Sequence, residues 1–151
     1  MSPVPSPSDL AERVQRRRNR VLWVFLIFFI WQGVYFNSRI LADGPLRTVD
    51  LVSLAGHVVL AIVLLMLLAT GGGWRHGKAV RSLLDDEATR AHRAQAYAAG
   101  FWALTLCALG LYAAAPFVQM KLGEAAHILL SVAVAVPAMR FVMLERRAER
   151  G

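Results

Sequence analysis

Charge is scarce in this chain: only 18% of its 151 residues are Asp, Glu, Lys or Arg, against about 25% in an average soluble protein. With 57% hydrophobic residues beside so few charges, the chain is neither disordered nor composed like a water-soluble enzyme. Cysteine is rarer still. Cys107 stands alone, which excludes an intramolecular disulfide, a Cys-x-x-Cys redox pair and a thiolate zinc site. A phosphate loop, a His-Glu-x-x-His sequence and a nucleophile triad are also missing, so no residue is marked as catalytic and an enzyme is not the expected class. Acidic residues fall short of basic ones, 10 against 17, leaving a net charge of +7. In so apolar a chain that excess reads as a record of membrane orientation, and nucleic acid is not an expected partner.

What the sequence does have is long apolar runs. Four stretches, at about residues 21–41, 51–69, 96–115 and 125–144, each approach the roughly 20 residues a helix needs to cross a bilayer core about 30 Å thick. The first, VLWVFLIFFIWQGVYF, is bulky all round and carries Trp and Tyr residues suited to headgroup depth. It outlasts the apolar region of about 7–15 residues in a signal peptide and lacks a convincing small-x-small cleavage site, so it reads as a retained first span. The expected fold is all-α: an integral membrane four-helix bundle made of two antiparallel transmembrane hairpins.

Orientation follows from the arginines, because short basic loops stay on the cytoplasmic side. Arg13, Arg16, Arg17, Arg18 and Arg20 precede span one, and Arg75, Lys78, Arg81, Arg90 and Arg93 separate spans two and three. Arg140, Arg146, Arg147 and Arg150 follow at the end, leaving only Arg39, Arg47 and Lys121 for the other face. An even number of spans with both termini in the cytoplasm satisfies this pattern. The basic face is expected to meet anionic headgroups, each charge contributing about 1 kcal/mol near the surface, and Arg140 sits where a long side chain can snorkel towards them.

Outside the membrane the expected segments are a disordered, Pro-rich tail with a basic juxtamembrane segment (1–20), a cytoplasmic connection (71–95) and a basic C-terminal tail (145–151). Asp-Gly-Pro at 43–45 reads as a tight turn. Within the connection, VRSLLDDEATRAHRAQA has good helix formers and no Gly or Pro. Asp86 precedes Arg90 by four, as Thr89 precedes Arg93, so a helix with polar pairs along one face should run on into span three. The segment LLDDEATRAHRAQAYAAGF, with Asp85, Asp86 and Glu87 followed by Arg90, Arg93, Ala96 and Gly100, resembles small four-span inner-membrane proteins of bacteria. The resemblance implies a bacterial cytoplasmic-membrane protein and no particular reaction. A solvated helix held by i,i+4 ion pairs is the expected reading of this segment; the functional alternative makes Asp85, Asp86 and Glu87, with Arg90 and Arg93, a docking surface for a partner protein.

Helix association in lipid depends on close packing of small residues rather than on a hydrophobic drive. Gly100, Ala103, Cys107, Gly110 and Ala114 form such a seam on span three, and Gly123, His127, Ser131, Ala135 and Ala138 form one on span four, so these two spans should pack as a hairpin. Pro137 removes one backbone donor from span four.

Polar residues inside a span cost free energy unless partnered, and so point to function. Asp50, Ser53 and His57 share one face of span two; Glu124, His127 and Ser131 share one of span four; Gln32, Asn37 and Arg39 of span one reach the same depth. Together they predict a polar cluster in the outer half of the bilayer. His57 and His127 on separate helices are candidate axial ligands to a haem, and Glu124 with His127 has the Glu-x-x-His spacing of bundle metal sites, but a di-metal bundle needs that motif twice. Histidines that hydrogen-bond neighbours and fix register are the simpler account, and no cofactor is required by the sequence. The leading functional expectation is a small accessory, scaffold or regulatory subunit acting through helix faces and the loop, alone, as a homo-oligomer or with a membrane-protein partner. The alternative is a redox (haem or quinone) or ion-handling protein using His57 and His127.

Overall fold

The computed structural model describes residues 7–40, 47–70 and 87–148. These form four helices and no strand: α1 (Pro7–Ile40), α2 (Thr48–Thr70), α3 (Glu87–Ala114) and α4 (Leu122–Ala148). Helices α2, α3 and α4 are long and apolar enough to cross a membrane, the pattern of a multi-pass membrane protein. Helix α1 joins the arginine-rich segment and the first apolar run without a break, and α3 likewise carries the charged segment from Glu87 into its apolar half.

The helices that bear the two candidate histidines start in the same way. The Asp50 carboxylate accepts from the Arg47 amide at 2.9 Å, and the Glu124 carboxylate accepts from the Lys121 amide at 3.4 Å. Each acid is three residues past the amide it satisfies, the reciprocal half of a capping box, and each puts a negative group at the positive end of a helix dipole. Helix α3 ends in a turn through Pro116, where the Phe117 amide reaches the Ala114 carbonyl at 2.9 Å.

Cross-helix contacts fix the register. Phe29 and Gln32 of α1 meet His57 and Ser53 of α2; Arg18 and Gly33 of α1 meet Glu145 and Ser131 of α4; His92 and Gly100 of α3 meet Glu145 and Pro137 of α4; and Arg93 of α3 meets Ala69 of α2. In each of the first three helix pairs one number rises as the other falls, so α1 is antiparallel to α2 and to α4 and α3 is antiparallel to α4, which leaves α2 and α3 antiparallel as well. The N-terminal half of α1 and the C-terminal end of α4 therefore lie at one end of the bundle. That end also carries Arg90, Arg93, Arg146 and Arg147, while Arg39, Arg47 and Lys121 fall at the other.

Between the ends is an apolar core that includes Leu22, Phe29, Leu60, Leu64, Val134 and Phe141. Its tightest joint is between α3 and α4, where a Cβ added at Gly100 would lie 3.0–3.1 Å from three atoms of the Pro137 ring. Helix α4 runs through Pro137 without ending, and the ring sits in the notch that Gly100 leaves. Large apolar side chains also cover the outside, among them Val24, Trp31, Val59, Met66, Trp102 and Leu106, as a lipid-facing surface requires.

Candidate functional site

Helices α2 and α4 bring the two candidate histidines together. His57 is 0% exposed and sits between two rings: Phe29 of α1 stacks on it with centroids 4.2 Å apart and planes at 16°, and His127 of α4 meets it at 4.6 Å and 44°. The Nε2 atom of His127 is 3.1 Å from the Gly33 carbonyl oxygen. A carbonyl only accepts, so Nε2 carries the hydrogen and donates it. The Ser131 hydroxyl lies 3.5 Å from His57 Nε2, at the long end of hydrogen-bonding range, and His57 Nδ1 is buried with no hydrogen-bond partner among the described residues.

Gly33 makes this meeting of three helices feasible. A Cβ there would stand 3.4 Å from His57 Cε1, 3.6 Å from Ser131 Oγ and 3.7 Å from His127 Nε2, and any larger side chain would displace the cluster. Nearby, Gln32 donates from Nε2 to the Ser53 carbonyl at 3.1 Å. Of the other residues expected in the cluster, Asp50 and Glu124 cap their own helices, and the Asn37 and Arg39 side chains lie outside the described atoms.

Beside this cluster a cavity of about 440 Å³ opens between α1 and α4. Phe29, Ile30, Gly33 and Val34 line it from α1, and Ile128, Val132, Ala135 and Val136 line it from α4; His127 and Ser131 supply its polar side chains. Ile30 and Val34 are exposed on the apolar surface of the bundle, so the cavity opens at the side of the bundle rather than at its ends. Its size is within the range of about 300–1,000 Å³ typical of small-molecule pockets, as is its lining of apolar groups with a few convergent polar ones.

A haem or metal ion would need a different arrangement of these residues. Two histidine ligands must aim a nitrogen each at one ion, about 2.0–2.1 Å away and near the ring planes. Here His127 aims Nε2 at a backbone carbonyl, while the faces of His57 are taken by Phe29 and His127. The pair as arranged does not fit a macrocycle between its rings. Among the described residues, no group of three or more His, Cys, Asp or Glu gathers as a ligand set.

A second polar cluster, not anticipated in the sequence, lies at the opposite end. Glu145 of α4 is 1% exposed and forms an ion pair with Arg18 of α1 through Oε2, while its Oε1 lies 3.1 Å from Nδ1 of His92 on α3. The Arg18 guanidinium also lies over the Phe141 ring at 5.4 Å, and Arg146 lies over Trp23 at 4.5 Å. Asn19 and Thr89 are buried alongside. Arg93 completes the joint by donating to the Ala69 carbonyl at the end of α2, at 2.7 Å.

That contact bears on the proposed docking surface. Asp85 and Asp86 lie outside the described residues; Glu87 and Arg90 are exposed on α3, and Arg93 is turned inward to α2. The small-residue seam divides in two. Gly100 is buried against Pro137, whereas Gly110 has open space around it; Ala103, Cys107 and Ala114 are half-buried.

No protein-family model, curated protein or solved structure matches the chain.

Proposed function

We propose that this chain is a four-span protein of a bacterial inner membrane, with both termini in the cytoplasm, acting as a small accessory or regulatory subunit that holds a lipid-soluble ligand. The observation that carries this reading is the side-opening cavity of about 440 Å³ between α1 and α4, apolar except for His127 and Ser131. A fourth span is supported by the outward apolar side chains of α1, including Val24, Ile27, Trp31 and Val34. The cytoplasmic assignment is supported by the crowding of arginines at one end of the bundle, where exposed Arg13, Arg17, Arg20, Arg146 and Arg147 suit anionic headgroups.

Proton or ion conduction has less in its favour. From Ser131 to Glu145 is fourteen residues of one helix, about 21 Å, and the space between the polar ends is filled by buried Leu22, Leu26, Leu64 and Phe141. Action through a partner protein has one observation behind it, the open surroundings of Gly110 on α3, a surface on which another helix can pack closely.

Two measurements test the proposal. Reporter fusions at each terminus should both report the cytoplasm, and a periplasmic signal from either would refute the topology. Protein purified in lipid nanodiscs should carry a lipid-soluble molecule that organic extraction releases, and fillers of the cavity, V132W and A135F, should deplete it. Identical extracts from wild type and both fillers would refute the binding reading.

A further inference from the structure

We infer that the ligand of the α1–α4 cavity is an uncharged lipid bearing a ring carbonyl, the class to which membrane quinones belong, with Ser131 as the hydrogen-bond donor to that carbonyl. The inference rests on the cavity being a binding site and adds the identity of what fills it.

Depth is the first argument. His127 and Ser131 lie five and nine residues inside α4 from Leu122, about 7.5 and 13.5 Å along the axis, while half of the hydrocarbon core is about 15 Å. A phospholipid keeps its ester oxygens at the interface, so an acyl chain in the cavity would bring no polar atom to Ser131. A molecule whose polar group lives inside the core would. Charge is the second. No Lys or Arg lines the cavity, so a carboxylate placed there would lack a counter-ion and be strongly disfavoured.

The hydrogen-bond inventory supplies the third argument. His127 Nε2 donates to the Gly33 carbonyl, so that hydrogen is already used. Ser131 touches both His57 Nε2 and the cavity. His57 Nδ1 is buried without a hydrogen-bond partner among the described residues, and a buried N–H left without an acceptor is costly, so the hydrogen belongs on Nε2; the imidazole then donates to Ser131 Oγ, and the hydroxyl hydrogen is left to point into the cavity. The chain His57 to Ser131 to ligand then presents a donor, which an accepting carbonyl satisfies. His57 acts through Ser131 and is a positioning residue.

The test uses the full chain in nanodiscs and a saturated twelve-carbon chain bearing a diazirine, with crosslinked peptides read by mass spectrometry. The label is expected on the cavity-lining stretches of α1 and α4 in wild type and to be lost in V132W and A135F. A decyl-substituted benzoquinone should displace it at a concentration at least tenfold below that needed for an alkane of equal size. S131A should weaken the quinone by about three- to tenfold, the size of one neutral hydrogen bond, and leave the alkane unchanged. S53A, which touches the site only through a backbone carbonyl, should behave as wild type.

If the label reaches the cavity but quinone and alkane compete equally, or a long-chain alcohol competes as well as the quinone, the carbonyl assignment is overturned and the cavity reading stands. If the label fails to mark the lining above the level in the filled variants, both fall.

Discussion

Replacing Glu145 by Gln removes one negative charge at nearly constant shape. The carboxylate it alters is 1% exposed and sits between Arg18 and His92. A surface ion pair contributes about 0–1 kcal/mol, whereas removing one partner of a buried pair costs about 3–5 kcal/mol because the remaining charge stays in a poor solvent. The side chains of Arg18 and Glu145 are only 4% and 2% exposed, so the second figure applies. E145Q is expected to lower stability by about 3–5 kcal/mol, measured by reversible unfolding in mixed micelles. Arg18→Met alone should fall in the same range, but the double variant R18M/E145L should recover most of the loss, since an apolar pair of similar volume is often neutral or better than a buried ion pair. The coupling between the two positions is the quantity that decides. Single variants that each cost under about 1 kcal/mol and add in the double variant would mean that Arg18 reaches water and that the cluster is a screened surface feature, refuting the reasoning.

Gly100→Ala should cost about 1–3 kcal/mol through overpacking against the rigid Pro137 ring, while Gly110→Ala, which meets nothing, should be neutral or stabilise by up to about 1 kcal/mol from helix propensity; the same unfolding assay separates them. Asp50→Ala and Glu124→Ala should each cost about 0.5–1.5 kcal/mol from a lost cap, and loss of the His127–Gly33 hydrogen bond on Glu124→Ala would show that the carboxylate serves the site rather than the helix end. Histidine nitrogen spectra should find the hydrogen of His127 on Nε2, and a signal from the Nδ1–H form would contradict the contact with the Gly33 carbonyl.

Long apolar runs made the three span-forming helices legible, because lipid leaves the backbone little choice but to bond to itself within a helix. The meeting of His57 and His127 was half legible. Both are polar groups inside apolar runs, but whether two imidazoles touch depends on helix rotation and on Gly33, whose missing side chain is only meaningful once α1 is known to pack against both. Asp50 and Glu124 were drawn into the cluster by spacing alone, while the local rule, an acid three residues past a helix start, accounts for both. The inner cluster left a signal that a count of charges hides. Arg18 continues the stripe Leu22, Leu26, Phe29 and Gly33 at steps of three and four, and Glu145 continues Val134, Ala138, Phe141 and Val142. A charge that falls in phase with a buried stripe is a candidate buried charge, whatever its nearness to a basic tail. Arg18 was counted with the orienting arginines because its neighbours Arg16, Arg17 and Arg20 do face outward.

The two ends of the bundle are joined by different forces, and that difference bears on how a ligand reaches the cavity. At the basic end α1, α3 and α4 share one buried carboxylate, and Arg93 ties α3 to α2. At the other end, Gln32 to Ser53 and His127 to Gly33 are neutral hydrogen bonds between α1 and its neighbours, each worth about 0.5–1.5 kcal/mol. The cavity removes much of the packing that α1 and α4 would otherwise share there. Separating α1 from α4 beside the cavity breaks the neutral His127–Gly33 hydrogen bond, whereas separating them at the basic end exposes a buried ion pair. Since parting a buried ion pair costs more than parting one neutral hydrogen bond, the cavity end is the easier of the two to open, and the space that opening would widen is the one lined by His127 and Ser131.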